Sequence, residues 1–327
     1  MSNYTVKRIL TMIPILLGVA FIVFSIMALT PSDPASIILG PGSPKEAIDQ
    51  LNHKLGYDLP FFTRFFNYVR DLVFHFDMGT SYLSSRSVAH EIALKFPVTL
   101  LVAFGSMFLA TLIGVPLGVL SAVKQYSLKD SIPTTIALIL ATIPTFWLGM
   151  MLMTWFSLKL HWLPSSGIGS WKNYVLPTIS LALPYAAQQL RFTRSSMLET
   201  IRTDYIRTAR AKGATERAVI WGHAMKNALL PVITVTGMNF GGLIGGAIAT
   251  ESLFALPGLG NLLINSIRQK DIPIVMGATI FMAAIFSLIM LIVDILYALV
   301  DPRIKSKYAS MSWFKTRKRQ VHLRSRG

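Results

Sequence analysis

Six long apolar segments alternate with polar stretches along the chain. They cover residues 9–29, 97–123, 132–158, 175–190, 229–250 and 274–300. A helix of about 20 predominantly apolar residues crosses the hydrocarbon core of a bilayer. Most of these segments are longer than a helix buried in a soluble domain needs to be. The pattern therefore predicts an all-α membrane protein with six transmembrane helices.

Composition and charge agree with this interpretation. The chain has 327 residues, of which 53% are hydrophobic and only 14% charged, whereas soluble domains have roughly a quarter charged residues. The net charge of +16 is concentrated in loops and a tail that flank apolar segments. The rule that cytoplasmic loops are positive explains this charge, while nucleic-acid binding is disfavoured because no binding motif accompanies it.

The same rule predicts that both termini are cytoplasmic. Lys7 and Arg8 precede the first apolar segment, which is longer than a usual signal-peptide core and lacks a cleavage site, so we expect an uncleaved anchor. The opposite orientation would expose the basic stretch 195–228 on the outer side.

Four regions follow: 1–29 with the first span, an extracellular helical region 30–96, a five-helix core 97–300, and a basic cytoplasmic tail 301–327 that contacts anionic lipid or water.

The extracellular region predicts two helices. Ser43, Pro44 and Glu46 form a capping-box pattern with Ser43 as the N-cap, and Gly56 ends that helix. Residues 59–76 mix aromatic and charged side chains, which is typical of an amphipathic helix at a membrane surface. A small helical cap and a docking site for an extracellular partner are both open interpretations.

Glycines inside two spans predict close helix packing. Gly114 and Gly118 lie four residues apart in the second span, and Gly237, Gly241 and Gly245 repeat that spacing in the fifth. Small residues at this spacing allow two backbones to approach closely in a membrane. We therefore expect a neighbouring helix against each set.

Three polar residues are candidates for the pore. Asp294 lies about two turns inside the sixth span, and an intramembrane acid is a functional candidate unless it bonds a neighbouring helix. Glu251 follows the fifth span and is either a mouth residue or solvated. Asn239 either lines the pore or joins helices.

Patterns for catalysis and metal binding are absent from the sequence. It has no cysteine, no phosphate-binding loop of the form G-x-x-x-x-G-K-[ST], and His90-Glu91 lacks the second histidine of H-E-x-x-H. We expect neither enzymatic activity nor a metal or cofactor in this chain. A self-sufficient secondary transporter is the competing interpretation, although it would usually show internal repeats and several buried charges.

The basic stretch 195–228 predicts a helical hairpin. Thr203 or Asp204 begins a short helix that ends before Gly213, and Thr215 caps a second helix running to Asn227. Small side chains on the first helix would let a partner groove close tightly on it, and the surrounding arginines suit acidic groups or lipid headgroups.

These residues carry a resemblance to a known family. The stretch D-Y-I-R-T-A-R-A-K-G at 204–213, followed by N-A-L-L-P-V at 227–232, resembles the coupling loop of permeases of binding-protein-dependent ABC importers. Further matching motifs are T-P-S-D-P at 30–34, D-M-G-T-S at 77–81, T-R-S-S-M-L-E at 193–199, P-G-L-G at 257–260 and D-P-R-I at 301–304. The chain is most similar to the dipeptide/oligopeptide (and nickel) branch. It departs from the general E-A-A-x-x-x-G signature at Arg207 and Thr208, which suits that branch.

The resemblance implies a multi-subunit machine in the cell membrane. The chain would pair with a second permease, while two cytoplasmic ATPase subunits would bind ATP and Mg²⁺, and an extracellular binding (lipo)protein would deliver the solute. Di- or oligopeptides are the implied solute, with a nickel complex or glutathione as alternatives. The implied ATPase-coupling residues are Asp204, Tyr205, Arg207, Ala209, Arg210, Ala211 and Gly213.

Overall fold

The computed structural model describes residues 2–30, 33–40 and 42–300. Its described part is helical, apart from turns and one isolated bridge between Thr80 and Ser87. The helices are α1 (Ser2–Leu29), α2 (Pro34–Leu39), α3 (Lys45–Lys54), α4 (Phe61–Phe74), α5 (Val88–Val123), α6 (Leu128–Thr142), α7 (Thr145–Leu152), α8 (Val175–Ile201), α9 (Asp204–Ala211), α10 (Glu216–Ala218), α11 (Met225–Leu253), α12 (Leu259–Arg268) and α13 (Ile272–Val300). The tail 301–327, with its D-P-R-I motif, and Pro31 and Ser32 of the T-P-S-D-P motif lie outside the described residues.

Four helical stretches of the described chain are long and apolar enough to cross a membrane, and a bent pair adds a fifth. The four are Thr5–Leu29, Val88–Val123, Pro231–Leu253 and Ile272–Ile295. The fourth predicted span, 175–190, falls within α8, which is not among them. The structure thus supports four to five apolar helices, and six spans stay a prediction.

The third predicted span is two helices rather than one. α6 ends at Thr142. α7 continues into a π turn, Met153–Lys159, and the helical stretch Thr145–Lys159 lies at 104° to α6. Pro144 causes the break because the residue before a proline avoids the helical region. Ile143 is accordingly extended, with φ −81° and ψ 127°.

Close packing of α5 on α8 forms the centre of the molecule. A Cβ atom on Gly114 would lie 2.6 Å from the carbonyl oxygen of Ala186, and one on Gly118 would lie 2.7 Å from that of Leu190. Only glycine permits such an approach to the α8 backbone.

α11 packs on α13 through part of its glycine stripe. A Cβ atom on Gly237 would overlap Val293, and one on Gly241 would lie 2.7 Å from the ring of Phe286. The approach does not extend to Gly245, where a Cβ atom would meet nothing within 4 Å. The stripe therefore faces α13 along only part of its length.

Several predicted boundaries are wrong because helices run beyond the apolar segments. α5 begins at Val88, where Ser87 caps it by accepting a hydrogen bond from the His90 amide. The stretch between the fifth and sixth predicted spans contains the last residues of α11 and all of α12. Polar residues can extend a transmembrane helix once it leaves the hydrocarbon, so hydropathy alone does not locate its ends.

The region before α5 holds the two predicted helices, but the capping box is wrong. Ser43 does not cap α3; its hydroxyl donates to the carbonyl oxygens of Leu39 and Gly40, both at 3.1 Å, and Pro44 precedes the helix. α4 packs against the end of α1, where Phe24 meets Phe65 edge to face with ring centres 5.5 Å apart.

We expect Gly118→Ala to lower the thermal stability of the protein, because the added methyl group would overpack α5 against α8 at a cost of about 1–3 kcal/mol. Gly245→Ala is the matched control, since open space surrounds that position. Tryptophan fluorescence on heating in detergent would compare the two variants. An unchanged midpoint for Gly118→Ala would contradict the packing described here.

Candidate coupling site

The basic hairpin folds as a short helix, α9, held between the ends of two long helices. Thr203 precedes α9 with extended backbone, and Gly213 follows it with φ +83°, a left-handed conformation that favours glycine. The predicted position of this helix is confirmed.

Ile206 attaches α9 to the rest of the molecule. Its side chain is fully buried in a cluster that includes Val119 of α5, Met197 of α8, and Ile220 and Ala224 of the π turn Val219–Ala224. Burying an aliphatic side chain of this size stabilises a contact by about 1.5–3 kcal/mol relative to exposure to water. Through Ile206, α9 therefore belongs to a buried cluster that also contains residues of α5, α8 and the π turn.

The outward surface of α9 is largely polar and includes two arginines. The exposed coupling candidates are Asp204, Tyr205, Arg207, Arg210, Ala211 and Gly213. Ala209 differs from them: it is partly buried and packs against the same cluster as Ile206. Residues three apart share a helix face, so the burial of Ile206 turns Ala209 inward as well. Ala209 thus does not share the exposed surface of Tyr205.

Two hydrogen-bonded pairs close the hairpin. The side-chain amide of Asn227 donates a hydrogen bond to the Tyr205 hydroxyl at 2.8 Å. This hydrogen bond joins the two stretches of the coupling-loop pattern. Arg210 donates to Glu216 through Nε and Nη2, at 2.6 and 3.3 Å. These hydrogen bonds hold the pKa of the Glu216 carboxyl below its usual range. Arg210 is therefore engaged within the hairpin, whereas the one ion pair that Arg207 forms with the described residues is a 3.7 Å contact with Asp204.

The second arm of the hairpin is continuous with the fifth predicted span. Thr215 caps it by accepting a hydrogen bond from the Ala218 amide at 3.4 Å. α10, the π turn Val219–Ala224 and α11 then follow one another without an intervening loop. The expectation that this helix stops at Asn227 is wrong, because neither glycine nor proline interrupts the chain there.

A buried ion pair, which sequence reasoning missed, lies close to the hairpin. Arg194 of α8 donates to both carboxylate oxygens of Asp130 at the start of α6, at 2.6 and 2.8 Å. The Asp130 side chain is 5% exposed, and it also accepts a hydrogen bond from the Tyr126 amide. Nearby, the Ser196 hydroxyl donates to the Ala228 carbonyl oxygen at 2.8 Å. Arg194 and Ser196 belong to the T-R-S-S-M-L-E motif, and this motif is the feature of the sequence that could have pointed to these two contacts.

Two pore candidates lie at helix contacts. Asp294 forms an ion pair with Arg8 of α1, with 2.5 Å between Nε and Oδ2, so it joins α13 to α1. Asn239 is 9% exposed, and its amide nitrogen has no hydrogen-bond partner within the described residues. Neither observation identifies a pore lining.

Glu251, the third pore candidate, is fully buried at the end of α11. Its carboxylate accepts hydrogen bonds from the amides of Gly260 and Asn261, at 2.7 and 3.2 Å. A Cβ atom on Gly258 would collide with this carboxylate, and one on Gly260 would lie 2.4 Å from the Cα of Ile248. The P-G-L-G motif thus forms the turn into α12 and the first residues of that helix, which lie against the carboxylate. The expectation of a mouth or solvated residue is wrong, because the chain returns over Glu251 as α12.

The D-M-G-T-S motif forms a similar contact, which was not expected. Asp271, directly before α13, is 3% exposed. It accepts hydrogen bonds from the Ser81 hydroxyl at 2.5 Å and from the Tyr82 amide at 3.1 Å. This contact joins segments 190 positions apart in sequence. The sequence pattern does not predict the contact of Asp271 with Ser81 and Tyr82, because these residues lie far apart along the chain.

We expect Ile206→Ala to loosen α9, because removing a fully buried aliphatic side chain costs about 2–5 kcal/mol. The measurement is hydrogen exchange of the amides at 204–211 in the detergent-solubilised protein. Thr208→Ala, an exposed change on the same helix, is the control. Equal protection of α9 in both variants would show that Ile206 is not its anchor.

The chain matches known proteins over nearly its whole length. Residues 114–306 match the family described as binding-protein-dependent transport system inner membrane component, and residues 1–103 match the N-terminal part described for such membrane components. The glutathione transport system permease protein GsiC of Salmonella choleraesuis (strain SC-B67) is 42% identical over 94% of this chain and 100% of its own length. The protein of the same name from Escherichia coli (strain K12) is 40% identical over the same shares.

A solved structure shares the fold. The structure of inward-facing conformations of the MetNI methionine ABC transporter superposes with a TM-score of 0.56 at 21% identity, over 65% of this chain and 97% of that one. These matches, together with the apolar helices described above, show that the protein is a multi-pass inner-membrane protein and the permease subunit of an ABC importer. The chain belongs to the family of binding-protein-dependent transport system inner membrane components.

Proposed function

We propose that this permease forms half of a pore that imports short peptides, with glutathione as the first solute to test. The observation that supports it is 42% identity, over 94% of the chain, to permeases named for glutathione transport. Glutathione is itself a tripeptide, so it falls within the peptide class that the sequence motifs indicate. Dipeptides, longer peptides and nickel complexes are the competing solutes.

The proposed assembly contains a second permease, two ATPase subunits that bind ATP and Mg²⁺, and an extracellular binding protein. In this arrangement the permease crosses the membrane six times with both termini in the cytoplasm. The hairpin 195–228 then faces the ATPases. Its exposed, basic α9 offers a surface for their acidic groups.

The contacts of α9 support a coupling role. Because Ile206 lies in one buried cluster with residues of α5, α8 and the π turn, a displacement of α9 would be transmitted to these segments. The Tyr205–Asn227 hydrogen bond adds a direct link to the start of α11. ATP-driven movement of the ATPases would reach the membrane-crossing helices through these contacts.

We expect Arg207→Glu to weaken ATPase binding, since it reverses the charge of a side chain that is 75% exposed and has only one long ion pair. The measurement is co-purification of the ATPase subunits with the tagged permease, together with solute-stimulated ATP hydrolysis. Lys172→Glu, an exposed charge reversal near the other end of α8, is the control. Normal stimulated hydrolysis by Arg207→Glu would remove the coupling role from this surface.

We expect the complete importer in proteoliposomes to take up labelled glutathione only with ATP and the binding protein. Competition with unlabelled dipeptides, oligopeptides and a nickel complex would rank the solutes. Preference for one of the competitors would replace glutathione while keeping the importer. Uptake by the permease alone on an ion gradient would instead support the secondary-transporter interpretation.

A further inference from the structure

A cavity of about 430 Å³ lies beside the ends of α1 and α13. Its walls come from the last turns of α1, the turn before α4, α4 itself, the residues that follow Asp77, and the first turn of α13. It lies apart from the coupling hairpin, and neither the family match nor the solute proposal assigns it a role.

The polar wall of the cavity is basic. Lys54, Arg64 and Arg70 line it, with Asp71 as the single acid. Asp71 is already paired, because Arg70 donates to it at 2.9 Å. In the described part of the chain, no carboxylate oxygen lies within 4.0 Å of the Arg64 guanidinium nitrogens. The cavity therefore contains a cation without a protein counter-charge.

Aromatic rings hold the Arg64 guanidinium in place. It lies 4.0 Å from the ring centre of Tyr57 and 5.8 Å from that of Phe24. The hydroxyls of Tyr57 and Tyr82 are hydrogen-bonded at 2.7 Å, which fixes the ring beneath the guanidinium. A guanidinium held in this way keeps its edge donors free for two oxygens of one phosphate or carboxylate group.

Two further tyrosines line the cavity. The Tyr68 hydroxyl is itself buried and has no hydrogen-bond partner within the described residues, while the Tyr82 hydroxyl is hydrogen-bonded to that of Tyr57. Burial raises the pKa values of the Tyr68 and Tyr82 hydroxyls above their usual range. Both groups therefore stay neutral, so these tyrosines add no negative charge to the cavity.

Apolar surface continues from the cavity onto the membrane-facing side of α1. Phe24, Met27 and Met276 line the cavity, while Ile26 and Leu29 in the last turn of α1 are 57% and 83% exposed. The ends of membrane-crossing helices lie at the depth of lipid headgroups. A ligand with an anionic group and a hydrocarbon chain would match both surfaces.

We propose that this cavity binds the phosphate headgroup of an anionic phospholipid, with Arg64 as its counter-ion and its acyl chains along α1. A lipid fits better than a dissolved anion because the charged wall and the exposed hydrocarbon of α1 are contiguous. The bound lipid would fill the space between α1, α4 and α13 and stabilise their contact.

The test uses the full-length protein, delipidated in a neutral detergent and titrated with phosphatidylglycerol by native mass spectrometry. We expect Arg64→Gln to weaken retention of the lipid about tenfold, the usual effect of losing a charge-assisted hydrogen bond. Arg86→Gln, the same change at an exposed arginine outside the cavity, should leave retention unchanged. Equal losses in both variants would overturn the proposal.

A second variant guards against misfolding of Arg64→Gln. Lys54→Gln removes an exposed cation from the cavity wall and should weaken retention roughly threefold. Phosphatidylcholine and free glutathione serve as competitors. Preference for phosphatidylglycerol over both supports a site for anionic lipid. Equal retention of the two lipids, unchanged binding by Lys54→Gln, or displacement of lipid by glutathione would each overturn it.

Discussion

The structure depends on the close approach of α5 to α8. Inside a bilayer, apolar side chains gain little by leaving lipid for protein, so helices associate through tight van der Waals contact. Gly114 and Gly118 provide that contact because each lies against a backbone carbonyl of α8. The position of α8 in turn determines where Arg194 meets Asp130 and where the chain enters α9. The course of the chain into α9 therefore depends on two glycines of α5.

Buried carboxylates join loops to helices at three places. Asp130 accepts hydrogen bonds from Arg194. Glu251 accepts them from backbone amides at the start of α12, and Asp271 accepts one from the Ser81 hydroxyl. Burying a carboxylate is costly unless donors surround it, so each contact favours one arrangement of its segments. The second carboxylate oxygen of Glu251 has no hydrogen-bond partner within the described residues. These carboxylates specify how the helices are connected, whereas the apolar helices alone could slide and rotate against one another.

The sequence predicts much of this fold but little of its internal contacts. Hydropathy located the long apolar helices, and the pattern from Asp204 to Gly213 predicted α9 with its correct bounds, since local cues determine a short capped helix. The bend at Pro144 was missed because prolines are also tolerated inside membrane helices, so the residue alone does not show that the helix breaks. The burial of Glu251 was missed because it depends on how the chain returns on itself, and hydropathy contains no such information. Ala209 shows the same limit, because its partial burial follows from the anchoring of Ile206.

The π turn Val219–Ala224 has a consequence for the whole of α11. A π turn contains one more residue per turn than an α-helix, and an α-helix advances by about 100° per residue. Converting this turn to α-helical geometry would rotate everything after it relative to α9 by about that angle. Asn239 and Glu251 would then face different neighbours. The π turn, at which the basic hairpin continues into α11, thus determines which way the side chains of α11 face.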